Sequence, residues 1–113
     1  MVICSNNLFS QTKLPFSKDV FCRYNDEGEY KCTEQTAFAG NHILITDDKI
    51  VKVYGKSNTH YTFYIKESRL KSENIRIYDV TDRTIDVEIT YDKDKKTITF
   101  DYGGDETEVY HLK

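Results

Sequence analysis

The chain has 113 residues, of which 31% are charged and 38% hydrophobic, with a formal net charge of -3. This is the size and composition of one globular domain able to bury its own core, not of a disordered chain. The acidic balance, with no Lys/Arg-rich run, argues against a nucleic-acid partner. No apolar run approaches the roughly 20 residues needed to span a bilayer as a helix.

The N-terminal stretch MVICSNNLFSQTKLPF pairs a short apolar patch with small and polar residues. It lacks the basic start of a complete secretory signal. It reads either as the final part of a signal whose start lies upstream or as a frayed terminus. The expectation is a poorly ordered segment over 1–18 and a single β domain over 19–113.

Nine tyrosines, six phenylalanines, one proline and no tryptophan lean toward β-structure. Strand signals then recur every 8–12 residues or so, the spacing of an all-β sandwich or barrel. The candidates are 21–24, 29–35, 42–46, 49–54, 59–66, 74–80, 84–91, 97–102 and 105–112. The clearest is TIDVEITY, 84–91, in which Ile85, Val87, Ile89 and Tyr91 share one face and polar residues the other. Such alternation marks a sheet with one wet side, hence antiparallel pairing. ESRLKSE, 67–73, is the only helical candidate, and it is short enough to read as one turn of helix or a loop. The predicted fold is an antiparallel meander of about eight strands, forming a small barrel or sandwich.

Turn chemistry predicts the register. In CRYNDEGEYKC, Asp26 and Glu27 form a type I turn followed by Gly28 in the left-handed conformation. Cys22 then lies directly opposite Cys32, close enough for a disulfide. A disulfide agrees with a secreted or periplasmic location; reduced thiols on a strand face would mark a cytoplasmic protein. Cys4 is left over. A Gly103-Gly104 primed turn pairs Phe100 with Thr107 and Ile98 with Val109, and turns His111 inward. A four-residue KDKK loop pairs Tyr91 with Ile98 and Ile89 with Phe100. A three-residue loop before Thr84 pairs Ile77 with Val87, with Arg83 where glycine is usual.

These registers predict an acidic row on the wet face: Arg76 opposite Glu88, Glu88 opposite Asp101, Asp101 opposite Glu106, and Glu108 two residues on. Opposed like charges destabilise a sheet by up to about 1 kcal/mol each. The row is either a solvated face or a contact surface for a basic partner. Tyr61, Phe63, Tyr91, Phe100 and Tyr102 are assigned inward, as core or as the lining of a cavity for a small apolar ligand.

No metal-ligand spacing, nucleotide-binding loop or nucleophile motif is present, so no cofactor and no metal site is expected. The expected function is non-enzymatic: a small secreted or periplasmic binding module using a barrel end or the outer sheet face. The alternative is an acidic inhibitor or immunity-type protein that covers a basic protein surface. An enzyme would require a deep pocket holding a buried carboxylate or histidine.

Overall fold

A computed structural model describes residues 11–113 and contains nine antiparallel strands and no helix among them. The strands are β1 (Thr12–Tyr24), β2 (Tyr30–Thr36), β3 (His42–Ile45), β4 (Lys49–Tyr54), β5 (Thr59–Ser72), β6 (Ile75–Thr81), β7 (Asp86–Asp92), β8 (Thr97–Gly103) and β9 (Glu106–Leu112). They pair in the order β2-β1-β3-β4-β5-β6-β7-β8-β9, and β9 returns to pair with β1. Eight strands thus close a barrel, and β2 hangs on β1 as the outer half of a two-stranded ribbon. Closure leaves the barrel wall without edges.

β1 changes partner along its length, and that change shapes one end of the barrel. Its start pairs with β3 through Thr12–Pro15, whereas Lys18–Tyr24 pairs with β2. A register shift between Phe16 and Lys18 on the β9 side marks a bulge at Ser17. The bulge advances the alternation by one residue, so both Phe16 and Asp19 face inward and are buried at 1% and 6% exposure. Residues 12–18, expected in the poorly ordered segment, belong to β1. Residues 1–10, with Cys4 and the signal-like patch, lie outside the described residues.

The core is the barrel interior. Phe16, Ile43, Val80, Ile89, Phe100 and Tyr110 are at or near zero exposure. Val87 at 3% and Ile89 at 0% behave as their alternation predicts, but Ile85 is 45% exposed. The reason is the β6–β7 turn. Thr81 pairs with Asp86, so Ile85 belongs to a loop over Asp82–Ile85 and is no longer in the strand. The Asp82 carboxylate closes this loop, accepting N–H bonds from Thr84 at 2.8 Å and Ile85 at 2.9 Å. Val87→Ala is expected to cost about 2 kcal/mol in urea unfolding, and Ile85→Thr under about 0.5.

Two other expectations change. The stretch ESRLKSE is not a helical turn: β5 runs through it to Ser72, and β6 supplies the partner. The β6–β7 register moves by three residues, an odd number, so Tyr78 opposes Ile89 and Val80 opposes Val87, while Arg76 meets Tyr91 instead of Glu88.

The first hairpin matches its predicted register, with Cys22 opposite Cys32, Tyr24 opposite Tyr30 and Gly28 at φ 80°. The Asn25 side chain reinforces the turn, accepting N–H bonds from Glu27 and Glu29, both at 2.9 Å. Cys22 and Cys32 are disulfide-bonded. Because the bond ties a ribbon outside the core, Cys22→Ser/Cys32→Ser is expected to lower global stability by only about 1–2 kcal/mol. The double variant should instead raise amide exchange over 22–32. Alkylation of both thiols in the native protein without reductant would contradict the bond.

Candidate functional site

The site arises from a one-residue difference in the last hairpin. The turn dipeptide is Gly104-Asp105, at φ 60° and 66°, preceded by Gly103 at φ 88° and a bulge at Tyr102. Asp101 secures the bulge by accepting the Gly103 N–H at 2.9 Å. Phe100 then pairs with Glu108 rather than Thr107, and Ile98 with Tyr110 rather than Val109. A one-residue slip exchanges the two faces of a strand. Glu108 and Tyr110 thus point into the barrel, and His111, expected inside, opposes Thr97 on the other face.

Glu108 meets Lys52 there. Lys52 lies between Ile50 and Tyr54 on the inward face of β4, opposite Tyr61. Its Nζ donates to Glu108 Oε1 and to Tyr102 Oη, both at 3.0 Å, and the Tyr102 hydroxyl donates to the same carboxylate oxygen at 2.8 Å. Both charged side chains are nearly buried, at 10% and 13% exposure. The ammonium also sits in a box of five aromatic rings, with centroids 5.0 Å away for Phe100 and 5.6–5.7 Å for Tyr61, Phe63, Tyr102 and Tyr110. At these distances ring quadrupoles favour a desolvated cation.

Asp19 adds a second carboxyl beside Glu108. Burial, a hydrogen bond with Glu108 and repulsion from Glu108 push its pKa up to about 7, against a partial opposing pull from Lys52. Burial alone would raise Glu108 too, but the Lys52 ammonium and hydrogen bonds from Tyr110, Asp19 and Lys52 hold it below the ordinary carboxylate value. Burial and the Glu108 charge drive the Tyr102 and Tyr110 hydroxyls upward, so both stay protonated as donors. Two neighbouring carboxyls pushed in opposite directions titrate together rather than independently.

This cluster is the floor of an open barrel end. On one side, a cleft of about 760 Å³ is lined by Gln35, Phe38, Lys52, Tyr54, Lys56 and Tyr61. On the ribbon side, one of about 510 Å³ is lined by Asp19, Phe21, Arg23, Lys31, Thr33 and Glu108. Gln35 borders both. Phe38 and Tyr61 are 59% and 52% exposed, and Lys56 lies 4.4 Å over the Phe38 ring. The lip is built on close packing of two turns. Asn41 Oδ1 accepts the Gly55 N–H at 3.0 Å, and a Cβ on Gly55 would lie 3.1 Å from the Gly40 backbone, closer than side chains ordinarily pack.

Of the residues expected to line a cavity, Tyr61, Phe63, Phe100 and Tyr102 gather around Lys52. Tyr91 does not; it lies at the opposite end with Tyr78 and Arg76. The acidic row survives in altered form. Glu88 opposes Asp101 as expected, and Asp79 extends the row by opposing Glu88. Asp101 opposes Thr107, Glu106 opposes Gly103, and Glu108 has left for the interior. The balancing cation is Arg69, bonded to Asp79 at 2.9 Å and Glu88 at 3.4 Å, whereas Arg76 donates to Ser68. Lys66 pairs with Asp86 at 3.1 Å on the same face.

Sequence reasoning missed Lys52 and Asp19. KIVKVY offers two equally apolar faces, Ile50/Tyr54 and Val51/Val53, so nothing local turns Lys52 inward. Asp19 depends on the Ser17 bulge. Among the described residues no three His, Cys, Asp or Glu side chains gather closely enough to hold a metal ion. No protein-family model, curated protein or solved structure matches the chain.

Proposed function

We propose that this chain is a secreted or periplasmic, non-enzymatic binding module that takes a small ligand in the open barrel mouth. The observation that carries the reading is the Lys52–Glu108–Asp19 cluster, buried beneath an open cleft. A buried ion pair adds little or nothing to stability over well-packed apolar side chains, and an extra buried carboxyl subtracts from it. Such groups at a concave, aromatic-lined site are the usual mark of ligand recognition. The Cys22–Cys32 disulfide supports an oxidising compartment.

The test is a titration of ¹⁵N-labelled protein with 8-anilino-1-naphthalenesulfonate, an aromatic anion suited to Phe38, Tyr61 and Lys56. Shifts concentrated at residues 35–41 and 52–61, abolished by Phe38→Ser/Tyr61→Ser, are the expected result. Shifts absent there, or confined to Asp79, Glu88 and Asp101, would overturn the reading.

The acidic-inhibitor alternative retains one favouring observation, the opposed Asp79, Glu88 and Asp101. Arg69 and Lys66 offset much of that charge, which weakens it as a docking face for a basic protein. Salt-sensitive capture of a basic partner, lost on Glu88→Gln/Asp101→Asn, would favour it over the mouth.

A further inference from the structure

The mouth holds two carboxyls and one ammonium. Lys52 and Tyr102 satisfy Glu108, at 3.0 and 2.8 Å. Asp19, only 6% exposed, accepts no hydrogen bond from a hydroxyl, amide or cationic side chain among the described residues, and Glu108 beside it helps to raise its pKa. Its carboxyl opens onto the ribbon-side cleft. Arg23 and Lys31 line the cleft above the floor; within the floor, the charged or titratable groups facing the pair are Lys52 and Tyr54 from β4, Tyr102 from β8 and Tyr110 from β9. Of these, Lys52 alone is cationic and it is already engaged, so the floor lacks one positively charged donor.

The cleft also has direction. Phe21 forms an apolar wall next to Asp19, and Arg23 lies 5.8 Å from the Phe21 ring. Arg23 and Lys31 oppose each other across the ribbon. Arg23 lies four positions along the strand from Asp19, about 13 Å between Cα atoms, and long basic side chains can reach back over part of that distance. A carboxylate held above the floor on the same cleft can therefore meet both cations.

We infer that the ribbon side of the mouth binds a zwitterion of the ω-amino-acid type. Its primary ammonium seats between Asp19 and Glu108, its carbon stem lies along Phe21, and its carboxylate pairs with Arg23 and Lys31. The inference rests on the reading of the mouth as the binding site and names the ligand class. On binding, the ammonium takes the place of the Asp19 proton, which leaves for solvent; no covalent bond is made or broken. Below about pH 7 the ligand must displace that proton, so affinity rises with pH and levels off above.

The experiment is isothermal titration of the full chain with 6-aminohexanoate, hexylamine and hexanoate. It is run at pH 6 and pH 8, in buffers of differing ionisation enthalpy. The zwitterion should bind tightest, about tenfold tighter at pH 8 than at pH 6, with close to one proton released at pH 6 and almost none at pH 8. Asp19→Asn, which keeps shape and a donor but removes the charge, should weaken it at least about tenfold. Arg23→Gln should narrow its advantage over hexylamine, and Arg23→Gln/Lys31→Gln should abolish it. Hexanoate binding as tightly as the zwitterion, indifference to Asp19→Asn, or no zwitterion binding would overturn the inference. If the zwitterion fails while 8-anilino-1-naphthalenesulfonate still docks at Phe38 and Tyr61, the ligand class alone is wrong. If both fail, the mouth itself is not the site.

Discussion

Lys52→Met should destabilise the protein by about 3–5 kcal/mol at pH 8, the usual cost of removing one partner from a buried ion pair. Methionine fills the aromatic box well, since its thioether packs against ring edges, so lost volume is a minor part of the effect. What remains is Glu108, 13% exposed, beside Asp19, 6% exposed, with no cation among the rings. The loss should shrink toward pH 5, because protons can then neutralise what the ammonium did. Lys52→Met/Glu108→Leu should recover most of the stability, and comparison with both single variants gives the coupling. Urea unfolding at the two pH values measures all of this. A loss below about 1 kcal/mol at pH 8 would mean that the pair is effectively solvated.

The same residues explain what could be read from the chain in advance and what could not. The first hairpin was legible because Gly28 is the only residue of its turn free to take the left-handed position at no cost. That choice alone sets Cys22 against Cys32. The β7–β8 pairing was legible because one loop length alone keeps Ile89, Tyr91, Ile98 and Phe100 on a shared face. Gly103-Gly104-Asp105 offers two overlapping primed turns instead, and local chemistry barely distinguishes them, since Asp tolerates positive φ. The structure takes the turn that delivers Tyr110 to the core and Glu108 to Lys52, contacts more than fifty residues apart in sequence. Arg83, at φ 84°, likewise occupies a position that turn statistics reserve for glycine, with Asp82 bonding the loop around it. Period-2 patterning therefore reveals the barrel. The charged floor of its mouth escapes the pattern because Lys52 sits on a strand with two apolar faces, and because Asp19 and Glu108 depend on bulges at Ser17 and Tyr102, each of which exchanges the faces of the chain that follows.

Asp19→Asn tests the other half of the cluster and should stabilise the protein at alkaline pH. The Asp19 carboxyl titrates near pH 7 in the folded protein against an ordinary value of 3.8. Between those values the folded state holds the proton more tightly than the unfolded chain. The contribution of Asp19 to stability thus falls as pH rises from about 4 to 7 and is level above. Glu108 acts in the opposite sense: its folded value lies below 4.5, so its contribution is complete above that pH and is lost as pH falls through the folded value. Together the two place the best electrostatic balance of the mouth near pH 4. Asparagine imitates the protonated acid at every pH, donating to Glu108 without adding charge. The variant should match the native protein near pH 4 and exceed it by about 1–3 kcal/mol at pH 8, below the full linkage value because the carboxyl opens onto the cleft. Its stability should be almost flat from pH 5 to 8, where that of the native protein declines. Equal slopes for the two proteins would show that Asp19 ionises as an ordinary exposed carboxylate. A gain at pH 8 accompanied by loss of 6-aminohexanoate binding would instead identify Asp19 as a residue kept for a ligand at the expense of stability.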